Sequence, residues 1–335
     1  MKYRRVVVSR HGGPEVLQVI EEDIPEPKAG EVRVKVLAAG VSAYDLMFRR
    51  SGRLPGTPRV PFTPGEDVVG IVEELGAGVT AFQPGQMVAG GTFSLGVGGG
   101  YAEYVSMAAG EWVPVPSELD PVRAVCLVVN YVTAHVMLHR AAQVREGDRI
   151  LVHGAAGGVG SALLDLGRQV GLEMFGTASK HNHHLVSAFG ATPIDYRADD
   201  FVACVRQLTG DGVDAVFDPI GGARQLWRSY RALRRGGRLV WFGVAATRSH
   251  GLRIIPSTLL MRALLKILPD GRKVPSTPNA GKHVSETLAE LIAQLASGKI
   301  DPVVAARIPL AEAARAHELL ERGGVAGKIV LTAND

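Results

Sequence analysis

One stretch, HGAAGGVGSALL (residues 153–164), constrains this chain more than any other. RILVH before it reads as a compact strand. After it, Val159, Ala162, Leu163, Leu166 and Val170 fall at helical spacing. Between the two, Ala155, Ala156, Gly157, Gly158, Val159 and Gly160 fit the pattern G/A-x-G-x-x-G. A strand, a glycine bend and a helix together aim unpaired N–H groups and a partial positive charge at one point. Small residues let a pyrophosphate come close to that backbone. The predicted contacts are Gly154, Ala155, Ala156, Gly157, Gly158, Val159 and Gly160, and the predicted ligand is a dinucleotide.

The surrounding pattern supports this. Strands at 173–178, 192–195, 214–218 and 237–243 alternate with helices near 158–170, 184–189, 200–208 and 223–233. Such alternation gives a doubly wound parallel sheet with helices on both faces, an α/β class. An NAD site places an acid at the end of the second strand, about 20 residues past the bend. Here that strand ends GTASKHNHHL, and no acid lies between Glu173 and Asp195. Ser179 and Lys180 occupy the place, which favours a 2′-phosphate and therefore NADP(H). Tyr196 and Arg197, after the third strand, add contacts to the same phosphate. Pro219 closes the fourth strand, and Gly243 and Val244 close the next. All three are predicted near the cofactor. His181, His183 and His184 have no acid or cysteine beside them, so they read as solvated or phosphate-facing, not as metal ligands.

The first third reads differently. Residues 31–40, 67–76 and 86–91 are short apolar strands separated by Pro-Gly turns at 64–65 and 84–85, the signature of a β-rich domain. Residues 90–105 begin as a glycine loop and end in a strand. Helical spacing starts near Pro121. The tail holds helices near 284–295 and 310–320, then GKIVLTA, a strand predicted to return to the first domain. IIPSTLLMRALLKIL (254–268) reads as an amphipathic helix at a subunit interface.

Composition excludes several classes. With 335 residues, 46% of them hydrophobic, the chain can bury two cores. Its net charge of +4 is spread out, apart from Arg231, Arg234, Arg235 and Arg238, and makes no nucleic-acid stripe. The apolar run at 126–138 holds Asn130, Thr133 and His135 and falls short of the ~20 residues of a membrane span. Two cysteines, Cys126 and Cys204, make no disulfide framework, and MKYRRVVVSR has no apolar signal core. The expected location is the cytoplasm.

Several segments together resemble the medium-chain dehydrogenase/reductase superfamily, in its zinc-free quinone-oxidoreductase (zeta-crystallin-like) branch. They are GVSAYDLMFRRSG (40–52), VPFTPGEDVVGIVEELGAGVTAFQPGQMVA (60–89), GGYAEYV (99–105), NYVTAHVML (130–138), VHGAAGGVG (152–160) and VDAVFDPIGG (213–222). The resemblance implies a GroES-like β-rich catalytic domain at 1–122 and 267–335, a Rossmann domain at 123–266, and a homodimer. Zinc members use Cys, His and Cys as catalytic ligands. The matching positions here are Ser42, Gly65 and Val129; Glu66 alone makes no site, so no metal is expected. The implied chemistry is hydride transfer from NADPH to a quinone or an activated, α,β-unsaturated alkene bound between the domains. Ser42 and Thr133 are placed with the cofactor; Tyr44, Asn130 and Tyr131 are placed at the substrate. Two departures stand out, Ser42 where relatives carry Asn and Met47 where they carry Tyr. Alternatives are an enoyl-thioester reductase and a low-turnover NADPH-binding structural or sensory protein.

Overall fold

The structure, a computed structural model, describes residues 2–51, 57–92, 99–243, 245, 253–275 and 284–333. Val244 lies outside the described residues, as do parts of the 90–105 loop and of the 262–280 segment.

In chain order the strands are β1 (Lys2–Val8), β2 (Leu17–Asp23), β3 (Glu31–Val41), β4 (Asp67–Leu75), β5 (Met87–Gly91), β6 (Tyr104–Ala108), β7 (Trp112–Pro114), β8 (Arg149–His153), β9 (Glu173–Ala178), β10 (Thr192–Asp195), β11 (Val213–Asp218), β12 (Leu233–Trp241), β13 (Val304–Pro309) and β14 (Lys328–Thr332). The main helices are α1 (Ala43–Arg50), α2 (Pro121–Ala142), α3 (Gly158–Val170), α4 (His183–Ala188), α5 (Phe201–Thr209), α6 (Ala223–Ala232), α7 (Ile254–Lys266), α8 (Val284–Ala296) and α9 (Ala313–Arg322). The chain divides into two units, Met1–Val132 with His283–Asp335, and Thr133–Lys282.

The first unit is built on a sheet of order β13-β14-β3-β4-β5-β7, with β6 also paired to β3. In β3, Val32, Val34 and Val36 alternate with more exposed residues and are buried. They join Val68, Val72, Val88 and Trp112 in one core, where each side chain contributes roughly 1.5–3 kcal/mol. β14 pairs antiparallel with β3, from Ile329↔Val41 to Thr332↔Ala38. The C-terminal strand therefore completes the N-terminal sheet.

The second unit is a parallel sheet of order β10-β9-β8-β11-β12. Strand order reverses between β8 and β11, and ligands of such sheets sit beyond the carboxyl ends at that reversal. Leu151, Val216 and Leu239 fill the core at the sheet's centre.

The units divide at 132/133 and 282/283, against boundaries expected at 122/123 and 266/267; both first boundaries fall within α2. Residue 122 falls in the first turn of α2, a single helical run. On the far side, Lys273 makes a parallel bridge to Arg238, so the chain after α7 continues along the β12 edge before the tail leaves. Helix α2 is also longer than its apolar run suggested. At 22 residues it has the length and composition to cross a membrane, but 72% of its most apolar window is buried inside the protein, as for a core helix. Residues Leu127–Tyr131 and Val136–Ala142 of α2 are π-helical, a distortion that spacing does not reveal.

Candidate functional site

In the second unit the glycine bend follows β8 as expected, and α3 begins at Gly158. Gly157 caps the helix with no side-chain hydrogen bond, so the first-turn N–H groups stay open to a ligand. Two glycines are needed for clear reasons. Gly154 has φ +64°, in the left-handed region. A Cβ on Gly160 would sit 2.2 Å from the Gly154 carbonyl and 2.8 Å from Ala155 Cα. The result is a cradle of backbone donors, which suits a pyrophosphate.

Beneath the cradle runs a buried chain of hydrogen bonds. Asp218 can only accept, so the Ser229 hydroxyl donates to its Oδ2 at 2.7 Å. Ser229 Oγ then accepts from His153 Nε2 at 3.1 Å, which leaves His153 Nδ1 to accept from Thr177 Oγ1 at 3.1 Å. Burial lowers the His153 pKa and keeps the ring neutral, in agreement with that tautomer. Asp218 Oδ1 also takes the Ile220 and Gly221 N–H groups, at 2.8 and 3.0 Å, and so shapes the Pro219 turn. Gly243 packs against Pro219, where a Cβ would lie 2.6 Å from the Pro219 carbonyl. The ends of β8, β11 and β12 thus converge on one place.

The adjacent strand ends complete this half. β9 and β10 pair in register Ala178↔Asp195, so Ser179 and Lys180 leave the sheet beside Tyr196 and Arg197. Lys180 is exposed, Tyr196 is 53% exposed, and the Arg197 guanidinium lies over the Tyr196 ring at 5.6 Å. Two hydrogen-bonding groups and two cations therefore share one edge. His184 Nδ1 is hydrogen-bonded to the His181 carbonyl at 3.0 Å. Among the described residues no group of three His, Cys, Asp or Glu could hold a metal ion.

The first unit holds a different kind of site. Ser42 caps α1 in a reciprocal box with Asp45: its Oγ accepts from Asp45 N–H (3.2 Å) and its N–H donates to Asp45 Oδ2 (2.7 Å). Asp45, fully buried, also accepts from Gly65 N–H (2.9 Å) and from the Tyr101 hydroxyl (3.2 Å). Tyr101 in turn meets His317 Nε2 at 3.1 Å. Lys328 and Asp67 form a buried ion pair at 2.8 Å, and Arg49, fully buried, pairs with Glu321. Glu66, not its neighbour Gly65, faces Ser42: the Ser42 hydroxyl donates to Glu66 Oε2 at 3.2 Å. Burial raises the Glu66 pKa to about 8, helped by the Asp45 and Asp67 charges.

The structure brings some predicted residues together and separates others. Ser42 belongs to this first-unit cluster, and the glycine cradle belongs to the second unit. Tyr44, the second residue of α1, is 44% exposed, and its ring lies 6.0 Å from that of Phe48, tilted by 42°. Asn130 and Tyr131 lie in the π-helical turn of α2. Both are buried, Tyr131 to 2% exposure. Thr133 begins the second unit. Sequence reading missed Asp45, Tyr101, His317 and Lys328, and in the second unit His153, Thr177 and Ser229. The Ser42–Asp45 box alone carried a local signal, the S-x-x-D spacing ahead of an apolar helix.

Known proteins carry the same plan. Residues 28–117 match the alcohol dehydrogenase GroES-like domain, and residues 189–331 match the zinc-binding dehydrogenase family. The chain is 33% identical to quinone oxidoreductase of Rattus norvegicus, over 98% of this chain and 97% of that one. Among solved structures it is similar to Escherichia coli quinone oxidoreductase complexed with NADPH (27% identity, TM-score 0.85, 98% and 99% coverage). A mycobacterial protein complexed with NADPH is 31% identical, with TM-score 0.84 and the same coverage. The two units are thus a GroES-like domain and a Rossmann-like domain, and the chain belongs to the quinone-oxidoreductase family of medium-chain dehydrogenases/reductases.

Proposed function

We propose that this chain is an NADPH-dependent oxidoreductase that reduces a quinone or another electron-poor acceptor such as an α,β-unsaturated carbonyl. The observation that carries the reading is the open cradle at Gly154–Gly160 beside an acid-free strand end at Ser179 and Lys180. The relatives named as quinone oxidoreductases, and the two NADPH complexes, support it. NADPH, when bound, supplies the hydride. The chain's own part is to hold, orient and exclude water. First-turn N–H groups of α3 meet the pyrophosphate, and Ser179, Lys180, Tyr196 and Arg197 meet the 2′-phosphate. Ser42, Tyr44 and Asn130 are the polar groups we assign to the acceptor, and we assign no metal to the reaction. Free Cys126 and Cys204 suit a cytoplasmic location, and the exposed Leu259, Leu260 and Leu264 on α7 suit a homodimer.

The test follows NADPH oxidation with 9,10-phenanthrenequinone, 1,4-naphthoquinone, an enal and crotonyl-CoA, with NADH as control. Quinone- or enal-dependent turnover that prefers NADPH is expected. Turnover with crotonyl-CoA alone would replace the reading with a thioester reductase. NADPH binding without any turnover would replace it with a non-catalytic role.

A further inference from the structure

We propose that Glu66, held by Ser42, is the acid that delivers a proton to the acceptor's oxygen after hydride transfer. The inference rests on the reductase reading above.

The geometry makes the case. Reduction of a quinone by hydride leaves a hydroquinone monoanion; reduction of an enone leaves an enolate. Each can take one proton on oxygen, which hydride transfer does not provide: the monoanion becomes the hydroquinone, and the enolate becomes an enol that tautomerises to the saturated carbonyl. Glu66 sits at the end of the loop before β4, only partly buried, while its neighbours Asp45 and Asp67 are fully buried. Its Oε2 is occupied by the Ser42 hydroxyl, and among the described residues Oε1 has no hydrogen-bond partner. A proton on Oε1 is therefore free to leave toward a ligand, and the half-exposed Tyr44 is near enough to feel the Glu66 charge.

The charges nearby explain why the proton is there. Asp45 from α1 and Asp67 from β4 face Glu66, and Lys328 from β14 is the cation that offsets them. Tyr44 and Tyr101 are the other titratable groups in reach; burial raises the pKa of Tyr101, and partial desolvation of the phenol with the nearby Glu66 charge raises that of Tyr44. Three carboxyls beside one ammonium cannot all ionise cheaply in a buried setting. Asp67 has the lysine, and Asp45, whose pKa burial also raises, accepts two backbone N–H groups and the Tyr101 hydroxyl; Glu66 has only the Ser42 hydroxyl, so we assign the proton to it. With the pKa at about 8, Glu66 is mostly protonated at neutral pH, near the optimum for a general acid.

In the step, the Glu66 O–H bond breaks and a new O–H bond forms on the hydroquinone monoanion or enolate. No electrons move in this transfer, since the hydride has already brought both. The resulting carboxylate regains its proton from water. Ser42 is a positioning residue, because it fixes which oxygen of Glu66 points outward.

The experiment compares wild type with Glu66→Gln, which stays neutral and keeps a partner for Ser42 but has no acidic proton. We expect kcat to fall on the order of 100-fold or more, with the NADPH Kd unchanged by fluorescence titration. Wild-type kcat should fall as pH rises through about 8, and that limb should vanish in the variant. Ser42→Ala should lower kcat more than it changes the acceptor KM. Infrared difference spectra should show a protonated-carboxyl band that disappears across the same pH range and is missing in Glu66→Gln. An active wild type with an equally active Glu66→Gln, or a band that does not titrate, overturns the proposal. A wild type silent with every acceptor while the band still titrates overturns the reductase reading instead. Should Glu66→Gln fail to bind NADPH or unfold early, the pH limb and the infrared band of wild type decide alone.

Discussion

The two sites of this protein are made from opposite materials. The cradle of the second unit is backbone: N–H groups, a left-handed glycine and an absence of side chains. The cluster of the first unit is side chain: the partly buried Glu66 beside two carboxyls, a lysine, a tyrosine and a histidine that are packed away from water. The first recognises a ligand through donors already in place. The second stores charge and places a proton, and its members hold each other in register. A backbone site is broken by adding atoms; a charge cluster is broken by removing one partner.

The largest effect should come from Asp67→Asn. It leaves the buried Lys328 ammonium without its counterion and should cost about 3–5 kcal/mol by urea unfolding. Adding Lys328→Met should recover most of that loss, and failure to recover would mean the pair is not the keystone of the cluster.

Next is the pH dependence of stability. Burial, with Arg49 nearby, pushes the His317 pKa down to about 3. The folded ring stays neutral while the unfolded ring takes a proton below about pH 6.5. Its contribution is therefore present above pH 6.5 and lost as pH falls toward 3, at a slope of up to about 1.4 kcal/mol per pH unit. Glu66 runs the other way. Its folded pKa is raised, so its contribution is full below about pH 4.5 and lost as pH rises through about 8. Denaturant midpoints across this range should show the acid slope flattened in His317→Phe and the alkaline slope flattened in Glu66→Gln. Unchanged slopes would separate the cluster's stability from its titration.

Gly160→Ala tests the opposite material. The added methyl meets carbonyl and Cα atoms that cannot yield, which should cost about 1–3 kcal/mol. NADPH binding should be lost from the calorimetric trace, while the acid and alkaline slopes stay as in wild type. The mildest change is Lys180→Glu on the exposed strand end. NADPH should weaken about ten- to a hundredfold, the worth of one charge-assisted hydrogen bond, with NADH unaffected and the unfolding midpoint unmoved. Equal weakening of both nucleotides would remove Lys180 from the 2′-phosphate.

The same contrast explains what the sequence disclosed. The cradle is local: RILVH, the glycines and the following helix occupy one run, so its fold and ligand class could be read directly. The strand end that carries Ser179 and Lys180 was legible as well, because strand-helix alternation implies a parallel sheet. The cluster draws on residues 42–45, 65–67, 101, 317 and 328, and strand pairing brings them together. Asp67 and Lys328 each look like a solvated charge at a strand start until β3, β4 and β14 are laid side by side. Tyr131 shows the limit of spacing: its burial in the π-helical turn of α2 was not legible from the helical run that holds it.

The chain from Thr177 through His153 and Ser229 to Asp218 fixes the floor of the cradle with bonds that need no ligand. A nucleotide arriving there has little polypeptide left to organise. Association should then be governed by diffusion and by the cations at its edge, and residence time by the strength of the phosphate contacts. Variation at Ser179 and Lys180 would accordingly be felt in how fast the nucleotide leaves, with little change in how fast it arrives.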